Sequence, residues 1–98
     1  MSIMKINVRF AGMMRIFAGR QDSVIELPSP STLGDLLLLL AEDLPEEFKT
    51  KVIDPLQFDS VFPMIMMVNR ENIRDRAQFE RPLADGDLVI FVPPMEGG

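Results

Sequence analysis

Ninety-eight residues, 47% apolar and 26% charged, suffice for one hydrophobic core but not two, and that balance is globular rather than disordered. A formal charge of −5 argues against nucleic acid as a partner, because neutralising phosphates needs clustered Lys and Arg that this chain lacks. Without cysteine or histidine, disulfides, thiol chemistry, zinc centres and Ser-His-Asp catalysis are excluded or badly handicapped, and no converging carboxylate pair replaces them.

The start, Met1-Ser2-Ile3-Met4-Lys5, has no signal-peptide apolar region, and no apolar run approaches a membrane span. The cytoplasm is therefore the expected location, with no membrane partner and no metal site. From residue 3 to 10, Met4, Ile6, Val8 and Phe10 alternate with Lys5, Asn7 and Arg9, which predicts a strand with one wet face. Residues 11–19 place Met13, Met14, Ile16 and Phe17 around Arg15 and stop at Gly19, the pattern of a short helical turn. Residues 23–27 read as a second strand, ended by Pro28.

Thr32-Leu33-Gly34-Asp35 opens the clearest helix with a capping-box-like start. Leu33, Leu36, Leu37, Leu40, Ala41 and Leu44 fall on one face, and Pro45 ends it. Leu38 and Leu39 lie off that stripe. They read either as a broad core contact or as a partner groove, and we take the first. Residues 46–53 predict a short amphipathic helix with Phe48 and Val52 inward, whereas 54–63, with two prolines, read as an irregular loop.

The apolar run 64–68 predicts a strand that is buried on both faces or lies centrally. Residues 69–72 form a turn, Ile73 and Arg74 begin the return, and 83–87 form a second turn in which Gly86 is free to take positive φ. Residues 88–92 close the sheet. The expected architecture is α+β, a mixed sheet of about five strands packed on one main helix. If the first and last strands lie side by side, the arrangement is a β-grasp. Val89 and Phe91 then face the helix, and Leu88, Ile90 and Val92 point outward as a candidate partner-docking strip. The alternative is that residues 54–63 fold over that strip.

The last six residues are Pro93, Pro94, Met95, Glu96, Gly97 and Gly98. The prolines end the ladder and stiffen the start of this tail, and six extended residues reach roughly 20 Å. Gly97 and Gly98 leave a carboxylate at the end of a thin thread. The domain expectation is a body of 1–92 and a flexible C-terminal diglycine tail of 93–98. The bland alternative is an inert terminus.

Three stretches carry a resemblance. They are Phe10-Ala11-Gly12-Met13-Met14-Arg15 with Ala18-Gly19, then Val68-Asn69, and the run from Pro82 to Pro94 ending in Gly97-Gly98. Together they resemble the ubiquitin-like β-grasp sulfur carriers of the MoaD/ThiS type, with molybdopterin synthase small subunits the nearest likeness. Arg70 stands where that family has a turn glycine, and Met95-Glu96 where it has smaller residues. The resemblance implies a non-catalytic carrier. An E1-like adenylating enzyme, using ATP-Mg, activates the Gly98 carboxylate. A sulfur donor converts it to a thiocarboxylate, which serves the molybdopterin synthase large subunit in molybdenum cofactor biosynthesis. No cofactor is implied on the chain itself. The alternative is a ubiquitin-like modifier that forms isopeptide bonds through Gly98.

Overall fold

Strand β1 (Ile3–Phe10) buries every second residue, Met4, Ile6, Val8 and Phe10, as its alternation requires. The computed structural model describes residues 2–94. Helix α1 (Met13–Ala18) follows, ending on Gly19 at φ 73°. It turns Met14 and Ala18 inward and leaves Met13 and Ile16 exposed. Strand β2 (Asp22–Pro28) returns antiparallel to β1.

Helix α2 (Leu33–Asp43) begins with a reciprocal capping box. Thr32 Oγ1 accepts the Asp35 N–H at 3.2 Å, and Asp35 Oδ2 accepts the Thr32 N–H at 2.9 Å. Caps of this kind are worth about 1 kcal/mol. Leu33, Leu36, Leu37, Leu40 and Leu44 are buried. The two leucines off the stripe behave differently. Leu39 packs partly against the core, but Leu38 is 56% exposed, so the broad core contact extends to one of them only.

The second half of the chain departs from expectation between residues 54 and 58. Helix α3 (Glu46–Phe48), a π-helical turn (Lys49–Ile53) and helix α4 (Asp54–Phe58) follow one another, with right-handed helical backbone at each junction. Proline removes a donor and crowds the carbonyl four residues back. The wider π turn immediately before Pro55, with the Asp54 N–H reaching Lys49 O, accommodates it. Burial of Phe48, Val52, Ile53 and Leu56 at helical spacing holds the run against the sheet. Only after Phe58 is the chain irregular. There Arg76 donates to Pro55 O and Asp59 O and lies 5.5 Å from the centre of the Phe62 ring.

Strands β3 (Ile65–Val68) and β4 (Glu71–Ile73) form a hairpin, a 3₁₀ turn (Arg76–Glu80) comes next, and β5 (Leu88–Val92) ends the sheet. The strand order is β2-β1-β5-β3-β4. β5 is central, parallel to β1 and antiparallel to β3. This is a five-stranded mixed sheet in the β-grasp arrangement, with the helices on one face. β3 is paired on both sides, yet only its Met66 and Val68 face is buried. Under the helices, Phe10 and Phe91 stack at 5.7 Å and Phe48 meets both edge-on, at 5.4 and 5.5 Å.

Candidate functional site

The site is built on β5 and on the chain at each of its ends. Val89 and Phe91 are fully buried, so Leu88, Ile90 and Val92 necessarily point to the opposite face, where each is half-buried. Register adds residues that the sequence pattern did not reveal. Ile65 pairs with Val92 and Met67 with Ile90, so β3 adds two aliphatic side chains to the strip. On the other flank Asn7 stands opposite Leu88 and Arg9 opposite Ile90. The result is an apolar band along two central strands with a polar margin.

That margin is organised. Arg9 and Asp22, paired across β1 and β2, form an exposed ion pair at 3.1 Å. With Asn7, Ser23, Val24 and Leu88 they border an open depression of about 430 Å³ beside the strip. Residues 54–58 do not cover this face. Leu56 is buried in the core on the helical side of the sheet, and Phe62 packs against that same core and stacks on Phe79, so these residues of the 54–63 segment turn away from the strip.

At the start of β5 a polar knot sets the strand's position. Asn69 and Arg70, the central residues of the β3–β4 turn, have φ of 50° and 84°, as a type I′ hairpin turn requires. Gly86, at φ 87°, donates its N–H to Lys5 O at 2.8 Å, and the Asp87 backbone carbonyl accepts the Asn7 N–H at 2.9 Å. The incoming loop is therefore tied to β1 before β5 begins.

At its far end β5 meets the β1–α1 turn. Ala11 N–H donates to Phe91 O at 3.0 Å. Pro93 comes next, half-buried, and Pro94 is exposed. Gly12 is so close to Pro93 that a Cβ at position 12 would lie 2.7 Å from Pro93 Cγ. The remaining tail residues named from sequence, Met95, Glu96, Gly97 and Gly98, lie outside the described residues. Among the described residues no three acidic side chains converge as a metal site would need, and no helix is long and apolar enough to cross a membrane.

Comparison with known proteins agrees with this arrangement. The putative molybdopterin converting factor subunit 1 of Pyrococcus furiosus superposes with a TM-score of 0.74 at 26% identity, covering 94% of this chain and 99% of its own. The complex of subunits 1 and 2 of the molybdopterin-converting factor from Helicobacter pylori matches with a TM-score of 0.61 at 25% identity, covering 97% and 100%. The small archaeal modifier protein 1 of Methanosarcina acetivorans shares the fold, with a TM-score of 0.72 at 21% identity over all of both chains. No curated protein matches. The sequence model of the ThiS family matches residues 8–98, and the chain belongs to that family, with a ubiquitin-like β-grasp fold.

Proposed function

We propose that this chain is a sulfur carrier in molybdenum cofactor biosynthesis, the small partner of a molybdopterin synthase, working in the cytoplasm through the C-terminal carboxylate of Gly98. The observation that carries this reading is the ThiS family match running through residue 98. The 26% identity to a putative molybdopterin converting factor subunit 1 favours the molybdopterin branch.

A carboxylate is a poor electrophile, so it must first be activated. An E1-like adenylating enzyme presents ATP-Mg, a carboxylate oxygen of Gly98 attacks the α-phosphorus, and pyrophosphate leaves. Sulfur at the sulfide level, brought by a sulfur donor, then attacks the acyl carbon; AMP leaves and a thiocarboxylate remains. The large synthase subunit takes that sulfur for its pterin substrate, a partnership supported by the subunit 1 and 2 complex from Helicobacter pylori. The charge stabilisation and proton transfers belong to the partners, so the chain needs no histidine, cysteine or cofactor of its own and is not itself an enzyme. Leu88, Ile90 and Val92, joined by Ile65 and Met67, serve as the docking strip, while Pro93 and Pro94 lead Met95, Glu96, Gly97 and Gly98 toward the partner's cleft.

The fold shared with the small archaeal modifier protein keeps a second reading, in which a lysine amine displaces AMP and an isopeptide bond forms. Intact-protein mass spectrometry of the untagged chain, incubated with its activating enzyme, ATP and sulfur donor, separates the two. One oxygen-to-sulfur exchange localised to Gly98 is expected. Lysine-linked adducts would replace the carrier with the modifier, and an unchanged mass would sink both.

A further inference from the structure

Gly12 and Pro93 touch where the sheet releases the C-terminal segment, and neither residue's conformation is incidental. β1 and β5 run parallel with Phe10 opposite Phe91, so continuing the register sets Ala11 opposite Val92. Ala11 N–H makes its ladder bond to Phe91 O at 3.0 Å. In a parallel ladder the reciprocal bond to Ala11 O would come from the N–H of residue 93. Residue 93 is proline and has none. Ala11 O instead accepts the Met14 N–H at 3.0 Å and closes a β-turn. The ladder thus stops at the carbonyl that closes the turn.

That turn is of type II′, with Gly12 as its first central residue at φ 55° and ψ −131°. Phe10 before it and Met14 after it are both buried, so the turn cannot drift. The pyrrolidine ring lies against the face that only glycine leaves open: a Cβ at position 12 would sit 2.7 Å from Pro93 Cγ and 3.3 Å from Cδ. Pro93 and Pro94 each hold φ near −65°, so a direction set at Pro93 is carried stiffly into the next residue.

We propose that the Ala11–Met14 turn is a seat that aims the C-terminal segment, and that Gly12 is a positioning residue for the reaction of Gly98. This rests on Gly98 being the group that reacts. A carboxylate that must reach an adenylation site gains from being sent there along one line rather than searching a cone.

The test uses the full untagged chain with its E1-like adenylating enzyme, read by ATP–pyrophosphate exchange. A second readout is the distance distribution between nitroxides on cysteines introduced by Glu42→Cys and Gly98→Cys, which the cysteine-free sequence makes site-specific. Pro93→Gly removes the ring at the edge of the fold. It should lower the melting temperature by no more than a few degrees, as loss of a proline at an ordered position requires, leave KM unchanged, lower kcat about ten-fold or more, and broaden the distance distribution. Gly12→Ala should shift the distribution, and adding Pro93→Gly should remove only the part due to the ring that the new Cβ strikes, because a Cβ at φ 55° and ψ −131° strains the turn even without it. Wild-type kcat or an unbroadened distribution for Pro93→Gly would overturn the seat. If the unsubstituted chain supports no pyrophosphate exchange, the carrier reading fails, and the distance distributions alone decide whether the seat aims the chain.

Discussion

Asn69 holds Asp87 and the start of β5 in a single grip: its Nδ2 donates to Asp87 Oδ1 at 2.8 Å, while its Oδ1 accepts the Leu88 N–H at 2.9 Å. Its backbone N–H also reaches Leu88 O at 2.9 Å, and Asp87 Oδ2 accepts the Ala84 N–H at 2.8 Å. These bonds set where β5 begins against β3. A slip of one residue would turn Ile90 inward and Phe91 outward. Asn69→Ala should therefore cost about 1–2 kcal/mol of unfolding free energy in urea. Asn69→Asp should cost at least as much, because it sets an acceptor-only carboxylate against Asp87. A loss within error for both would show that the knot does not set the register.

Arg70 completes the same turn at a φ of 84°, a region that costs a residue with a Cβ roughly 1–2 kcal/mol. Glycine avoids that cost but adds about 0.5–1 kcal/mol of unfolded-state entropy. The difference predicts that Arg70→Gly stabilises the fold by up to about 1.5 kcal/mol, seen as a higher urea midpoint with an unchanged slope. A lower midpoint would mean that the Arg70 side chain contributes more than its backbone costs.

Phe48 comes from the helical run after α2, yet it closes the aromatic cluster between β1 and β5. It is fully buried, and the ring leaves a large void if removed. Phe48→Ala should cost about 3–5 kcal/mol, and Phe48→Leu much less. Equal, small losses for both would mean that residues 46–58 pack loosely and contribute little to the core.

Local patterns were legible in the sequence, and long-range ones were not. The alternation in β1 and the leucine spacing in α2 are periods within one segment, and both are visible in the residues. The parallel pairing of β1 with β5 joins residues about eighty positions apart, and only topology and resemblance pointed to it. Pro55 misled because a proline usually ends a helix; the π turn that absorbs it has no sequence signature. Ile65 and Met67 were hidden because Ile65, Met66, Met67 and Val68 are all apolar, so the run shows no period even though the strand has one buried face. Gly12 looked like any glycine near a turn, since its meaning depends on the ring of Pro93.

The apolar strip makes a direct prediction about docking. Ile90 lies at its middle, half-buried and facing away from the core, with Met67 and Arg9 as its cross-strand neighbours. Ile90→Asp places a charge there without touching Val89 or Phe91. The variant should keep its circular dichroism spectrum and lose about 2 kcal/mol or more of affinity for the large synthase subunit or the activating enzyme, as burying an unpaired carboxylate in an apolar contact requires. Titration calorimetry with unchanged affinity in a folded variant would remove this face from the docking surface.

Gly98 separates folding from chemistry most sharply. Among the described residues the core ends at Phe91 and the outward strip at Val92. Deletion of Gly98, or Gly98→Val, should leave the melting temperature unchanged. If the chain is the proposed carrier, valine adds a branched Cβ next to the carboxylate to be adenylated, and deletion withdraws that carboxylate by roughly 3.5 Å, more than the tolerance of an in-line attack on phosphorus. Both variants should therefore lose thiocarboxylate formation, by at least about a hundred-fold, while still competing with the unsubstituted chain for the activating enzyme through the strip. Competition without charging is the expected pattern. A Gly98→Val chain that gains sulfur at the normal rate would show that the reacting group lies elsewhere.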